Sequence, residues 1–304
     1  MIITRLSGGL GNQMFQYAAG LALAHTRRTV LKLDVSWFGA APGAKAHERY
    51  ALSSFNLPEQ FATEDEVERR RGVPLTRVER WSVALARRLH FYQYSRRLER
   101  RGRIHRDPGL RFDAAFFDQP DDTCLEGNWQ SERFFAPVAS QLKSHFTLRY
   151  PASPAVAELE ARIRRGPSAF LHFRRGDYVT DPRYAREIGA LAGDYYHAAV
   201  SRLRERAPDA VVYVFSDDIE GVARDFVPSG PHEFVREPPG TEPHQLLRLM
   251  KLCGHAIIAN STFSWWGAWL GERPGQLVIA PRRWFADGSP YNAADIVPER
   301  WLKL

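Results

Sequence analysis

The spacing of apolar side chains changes several times along the chain. Ile2–Leu6 is a short apolar run, followed at once by the glycine loop Gly8-Gly9-Leu10-Gly11. From Met14 to about Arg27 apolar residues return every three or four positions, and Thr29–Asp34 is a second strand-like run. This opening stretch predicts one βαβ unit. Residues 40–75 have no strong period. Val78, Trp81, Leu85, Leu89 and Tyr92 then recur at helical spacing and predict an amphipathic helix.

The second half is more regular. The apolar runs Ala169–Phe173, Val211–Phe215, Ala256–Ala259 and Leu277–Ala280 read as strands. They alternate with the helical stretches Asp194–Ala207, Ile219–Phe226, His244–Leu252 and Phe263–Leu270. Continuous apolar strands between amphipathic helices require a parallel sheet covered on both faces. Two prolines among small residues at Tyr150–Pro154 mark a boundary, so we expect domains 1–150 and 151–304. Both should be doubly wound α/β domains, in which ligands bind at the carboxyl ends of strands.

Composition narrows the class. The chain has 304 residues, 44% hydrophobic and 25% charged, which excludes disordered and fibrous proteins. Two cysteines, Cys124 and Cys253, without a CxxC or Cys/His cluster exclude a disulfide scaffold and a structural zinc site of the usual spacing. No run approaches the ~20 apolar residues of a spanning helix, and the N-terminus lacks a secretory pattern. The expectation is a soluble intracellular protein. The net charge of +7 is unevenly spread: Arg69–Arg106 holds thirteen Arg against two Glu, within a helical insertion of about 64–106. Such a block suits a polyanionic neighbour, nucleic acid or an anionic membrane, or a solvated arginine-rich face.

Four segments carry candidate chemistry. Gly9-Leu10-Gly11-Asn12-Gln13-Met14 between a strand and a helix, with Asp34 ending the next strand, imitates the dinucleotide fingerprint. Its third glycine is replaced by Met14, so a tight turn or a ligand loop using Asn12 and Gln13 stands beside the NAD reading. His172-Phe173-Arg174-Arg175-Gly176-Asp177-Tyr178 follows an apolar strand. Its arginines offer planar donor forks to a diphosphate, and Asp177 can take a proton from an incoming hydroxyl. An Arg–Asp salt bridge shaping the loop is the plain alternative. Ser216-Asp217-Asp218 ends another strand, where the acids can hold Mg²⁺, accept from a base or ribose, or cap a helix. Asn260-Ser261-Thr262-Phe263-Ser264-Trp265-Trp266-Gly267 opens a helix with hydroxyls and free N–H groups, an anion cradle or an N-cap with core aromatics.

These segments resemble a known family. GGLGNQMFQYA (Gly8–Ala18), HFRRGDYV (His172–Val179), VFSDD (Val214–Asp218) and NSTFSWWGAWL (Asn260–Leu270) resemble the α-1,2-fucosyltransferases of glycosyltransferase family 11. LEGNWQSERFF (Leu125–Phe135) is similar to that family's GYWQSEKYF segment, with Asn128 at the tyrosine position. The resemblance implies a GT-B-like pair of Rossmann-like domains, GDP-fucose as donor, inversion at the anomeric carbon, and no cofactor or required metal. It implies that Arg174 and Arg175 bind the diphosphate, and that Asp217 or Asp218 faces guanine. Ser261, Thr262 and Ser264, with Asn260, would hold phosphate oxygens, and His172 would line the nucleotide pocket. Gly11, Asn12 and Gln13 would lie near fucose, and Trp129, Gln130 and Tyr178 on the acceptor side. The implied acceptor is a terminal β-galactoside of a bacterial surface glycan, lipid-linked at the inner membrane; the resemblance does not cover the Arg69–Arg106 block, for which that membrane offers an anionic lipid surface. Two rivals are an NAD(P)-dependent oxidoreductase and a nucleic-acid-binding protein using Trp81, Phe91, Tyr92 and Tyr94.

Overall fold

The computed structural model describes residues 1–39, 49–71, 78, 81–82, 84–85, 103–176, 178, 181–236, 241–289 and 291–304. Most of the Arg69–Arg106 block, with Leu89, Phe91, Tyr92 and Tyr94, lies outside the described residues, as does Asp177. Close contacts divide the chain into one unit of Met1–Ser53 with Leu57–His145 and a second of Ser54–Asn56 with Phe146–Leu304.

The first unit opens with β1 (Ile2–Arg5), α1 (Leu10–Arg27) and β2 (Leu31–Asp34), the expected βαβ unit. The helix begins at Leu10 rather than Met14, so Gly11 and Asn12, both poor helix formers, sit in its first turn. It ends at Arg28, which takes the left-handed conformation at φ 53°. After α2 (Glu64–Arg71), β3 (Ile104–Arg106) and β4 (Cys124–Glu126) complete a parallel sheet of order β2-β1-β4-β3. One face buries Ile2, Leu125, Trp129 and Phe134 against Ala19 and Leu23 of α1. The other packs Ile3 and Cys124 on Val67 of α2. Helix α1 approaches the sheet closely at Gly20, where a Cβ would lie 2.8 Å from Leu31 Cδ1 and 3.0 Å from Thr4 Cβ. The unit closes with α3 (Ala139–His145).

The second unit begins with α4 (Pro154–Ile163), capped by Ser153, whose hydroxyl accepts from Val156 N–H. Next come β5 (Ser168–Phe173), α5 (Pro182–Glu187), α6 (Gly193–Arg206), β6 (Val211–Ser216), α7 (Ile219–Asp225) and β7 (His232–Phe234). Then follow α8 (Pro243–Met250), β8 (His255–Ile257), α9 (Thr262–Leu270), β9 (Val278–Ala280) and β10 (Leu302–Lys303). The sheet is parallel throughout, in the order β10-β9-β8-β5-β6-β7. Strand β5 is buried along its whole length. Walking outward from β5 in one direction gives β6 and β7, and in the other β8, β9 and β10. This is the Rossmann order, and its crevice lies where the direction reverses, beyond the carboxyl ends of β5 and β8. Both units are therefore α/β with parallel sheets, the fold class expected.

Candidate active site

Three strands of the second unit deliver polar residues at their carboxyl ends. Strand β5 ends in His172 and Phe173 and passes into Arg174, Arg175 and Gly176. Strand β6 passes into Asp217 and Asp218, and β8 into Asn260 and Ser261. The residues singled out in three separate sequence segments thus converge on one edge of one sheet.

Asp217 organises the arginine loop. One carboxylate oxygen accepts from the Arg175 amide at 2.9 Å, and the other pairs with Arg174 Nη1 at 3.0 Å. The Gly176 amide donates to the same carboxylate, and a Cβ on Gly176 would come within 2.6 Å of Asp217 Oδ2. Burial raises the Asp217 pKa, but Arg174, the two amides and His172 together hold it below the usual carboxylate value. Arg174 is thus paired with Asp217, a partner not expected from the sequence, while the Arg174–Asp177 alternative lies outside the described residues. Arg175 turns to Asp225, 2.7 Å away, with Asp218 at 4.0 Å. Asp218 caps α7 by accepting from Gly221 N–H at 3.1 Å.

The Arg174 guanidinium lies 5.5 Å from the centre of the Tyr178 ring, and the Tyr178 hydroxyl donates to the Asn260 carbonyl at 3.2 Å. Asn260 donates to the carbonyls of Gly189 and Trp284, while its Oδ1 and His172 Nδ1 are buried without a hydrogen-bond partner. Buried unpaired polar atoms are uncommon and collect at functional sites. Burial, opposed by Asp217 and aided by Arg174, pushes His172 down to about 4, so its imidazole is neutral at neutral pH. At the head of α9, Ser261 occupies the cap position without a side-chain capping bond, followed by half-buried Thr262. Ser264 does not belong with them: it is fully buried and its hydroxyl donates to the Ser261 carbonyl. Trp265 and Trp266 are core residues, Trp265 donating to the Ile296 carbonyl at 2.8 Å.

The first unit has its own reversal point, between β1 and β4. Gly8, at φ 71°, leads into α1, and Gln130 beyond β4 donates to Asn12 Oδ1 at 3.1 Å, joining the loops of both strands. Gly11 and Gln13 are buried in the first turn of α1. The Gln13 amide ties the Gly8 and Arg49 carbonyls to the Ala51 N–H, which makes it a brace within the fold. Trp129 requires a correction. It is wholly buried, stacked on His105 and packed against Phe116 and Phe134, so it is part of the core and offers no surface to an acceptor.

Sequence reasoning missed Asp225 and Asp107. Asp107 Oδ1 accepts from Gly109 and Leu110 and its Oδ2 from Asn128 and Trp129, fastening the loop after β4. Asp-Pro-Gly at 107–109 is a turn signal that could have found it. Nothing marks Asp225, since it belongs to no motif and meets Arg175 only through the fold. Among the described residues no helix is long and apolar enough to cross a membrane.

The model of glycosyl transferase family 11 matches residues 121–303. An α-1,2-colitosyltransferase of Escherichia coli is 30% identical, covering 100% of this chain and 99% of its own. The O-antigen biosynthesis glycosyltransferase WbnK of the same species is 29% identical over 98% of this chain and 99% of its own. A galactoside α-(1,2)-fucosyltransferase 1 of Leontocebus fuscicollis is 30% identical over 48% of this chain and 42% of its own. The chain belongs to glycosyl transferase family 11.

Proposed function

We propose that the protein is an inverting fucosyltransferase. It moves L-fucose from GDP-β-L-fucose to O-2 of a terminal β-galactoside in a bacterial surface glycan, forming an α-1,2-fucoside. The observation that carries the reading is the convergence of Arg174 and Arg175 with the head of α9 at the reversal point of the second unit's sheet. That edge supplies cationic forks and helix N–H groups for a diphosphate. The relatives' names support the linkage and the O-antigen setting.

In the proposed reaction the acceptor O-2 attacks the anomeric carbon as the bond to the β-phosphate oxygen breaks, and its proton passes to a base. GDP departs, and its growing charge falls to Arg174, Arg175 and the N–H groups of Ser261 and Thr262. We assign the base to Asp177. We assign Asn12 to the sugar, and Gln130 and Tyr178 to the acceptor. The reaction as proposed uses no metal.

A second reading follows from the first relative: the same site taking GDP-colitose, which is GDP-fucose without its 3-hydroxyl. The test is release of the nucleoside diphosphate with lactose as acceptor, in EDTA, across GDP-fucose, GDP-colitose, GDP-mannose and UDP-sugars. Release with GDP-fucose alone is expected. Preference for GDP-colitose would move the proposal to the second reading, and turnover only with a UDP-sugar would overturn both.

A further inference from the structure

Asp217 is placed unlike a residue that reads a base. Both of its oxygens face inward: one takes the Arg175 amide at 2.9 Å, the other the Arg174 guanidinium at 3.0 Å. The Gly176 amide adds a third donor, and at 2.6 Å from Asp217 Oδ2 a side chain at position 176 would displace the carboxylate. Its side chain is 24% exposed. The neighbouring Asp218 already performs the helix capping, so Asp217 is not required for that. What remains to explain is a carboxylate set directly against a cation that, on the reading above, must receive a diphosphate.

We infer that Asp217 is a positioning residue: it holds the Arg174 guanidinium and the loop carrying it, so that the fork is already oriented toward the leaving diphosphate before the donor arrives. The inference rests on the donor reading proposed above. Its logic is a trade. A free arginine side chain has several accessible rotamers, and a fork fixed in advance loses less freedom when it acts. Donors held in place before the reaction are worth more in the transition state than donors that must be gathered there. The cost is electrostatic, because a fixed negative charge beside Arg174 weakens the attraction for the ground-state nucleotide.

This trade has a signature that a mere loop brace lacks. Asp217→Asn keeps an oxygen for the loop amides and removes the charge that grips the arginine. In the full chain, kcat for transfer from GDP-fucose to lactose should fall about ten- to a hundredfold, because a displacement of about 1 Å can cost that much. GDP affinity, read by calorimetry, should stay unchanged or tighten by up to about tenfold, because the opposing charge is gone. The preference for GDP over IDP, whose base lacks the 2-amino group, should not change.

Three results for Asp217→Asn in the otherwise wild-type chain overturn the inference. A kcat within twofold of wild type removes the positioning role. A parallel loss of kcat and GDP affinity makes Asp217 a structural brace. Weaker GDP binding with loss of the GDP-over-IDP preference makes it the reader of guanine. Failure of the wild-type chain to bind GDP at all is a separate result, which takes down the donor reading and this inference with it. A second variant guards against misfolding. In an Arg174→Lys background, where no planar fork remains to be gripped, Asp217→Asn should change kcat by less than about threefold. An undiminished effect there would overturn the inference as well.

Discussion

Arg174 sits one residue beyond β5 with Tyr178 beneath it and Asp217 at its edge. If charge builds on the departing diphosphate, removal of this donor should act on kcat more than on KM. Arg174→Ala is expected to lower kcat about 10²–10³-fold, the range for loss of one preorganised stabiliser of developing charge. Steady-state kinetics retaining more than a tenth of kcat would remove the arginine from that role. His172, on the same strand, has a consequence for stability. Burial keeps its folded pKa at about 4, against an ordinary value of 6.5. Between those values the unfolded chain takes up a proton that the folded chain refuses. The neutral imidazole's contribution is therefore complete above about pH 6.5 and is lost as pH falls toward 4, by about 2–3 kcal/mol at pH 4.5. Urea unfolding at pH 7 and 4.5 should show that loss in the wild type and a smaller one in His172→Gln. Equal losses would place the proton elsewhere. Most of the candidate site residues were legible because each ends an apolar strand, where a polar residue has little reason to be unless it faces a crevice. Partners were less legible: which carboxylate meets Arg174 depends on β5 and β6 lying side by side, a long-range fact no local spacing contains.

Helix α1 shows how a missing signal can be replaced at the level of an element. The dinucleotide fingerprint uses its third glycine to bring helix and strand together, and Met14 occupies that place here, fully buried. The close approach is made later, at Gly20, which stands against Thr4 and Leu31. Gly20→Ala gains about 1 kcal/mol of helix propensity and meets an overpacking cost of about 1–3 kcal/mol. The net expectation is a loss of about 1 kcal/mol, and Gly20→Val, with a smaller propensity gain and a bulkier side chain, should lose more. Urea midpoints decide it, and a Gly20→Ala chain more stable than wild type would mean the contact is not what glycine serves. The strands β5, β6, β8 and β9 were readable because each is an apolar run flanked by amphipathic helices. Strands β3 (IHR), β4 (CLE), β7 (HEF) and β10 (LK) are as short as β8 and β9 or shorter but carry charged or polar residues, so no apolar run marks them. Helix α4 was missed for a different reason. Tyr150–Pro154 reads as a domain boundary, although a capping serine followed by proline is also how a helix begins.

On the scale of the whole chain, the division into units does not follow the sequence order strictly. Ser54–Asn56 leaves the first half of the chain to join the second unit. Phe55 packs edge-on against Phe146 at 5.4 Å, Phe146 continues onto Trp266 at 5.2 Å, and Trp266 lies in α9, whose head forms part of the site. Asn56 fastens the excursion through its amide to the Thr147 carbonyl and its side chain to Thr147 and Leu148. A boundary drawn at residue 150 separates Phe55 and Phe146 from the unit they help to fill. A pattern of prolines cannot reveal this, because a three-residue excursion has no period of its own. Truncating a buried phenylalanine costs about 3–5 kcal/mol, so Phe55→Ala in the intact chain should loosen the second unit and leave the first nearly unchanged. Saturating GDP should act on the same unit in the opposite sense, by about 2.7 kcal/mol at a hundred times its Kd. Hydrogen exchange resolved by peptide reads both effects in one experiment. Phe55→Ala should speed exchange across 146–304, and GDP should slow it there, with peptides of 103–145 serving as the internal reference. Protection by GDP confined to the first unit would move the nucleotide off the β5–β8 crevice. Loosening by Phe55→Ala confined to that unit would return residues 54–56 to it.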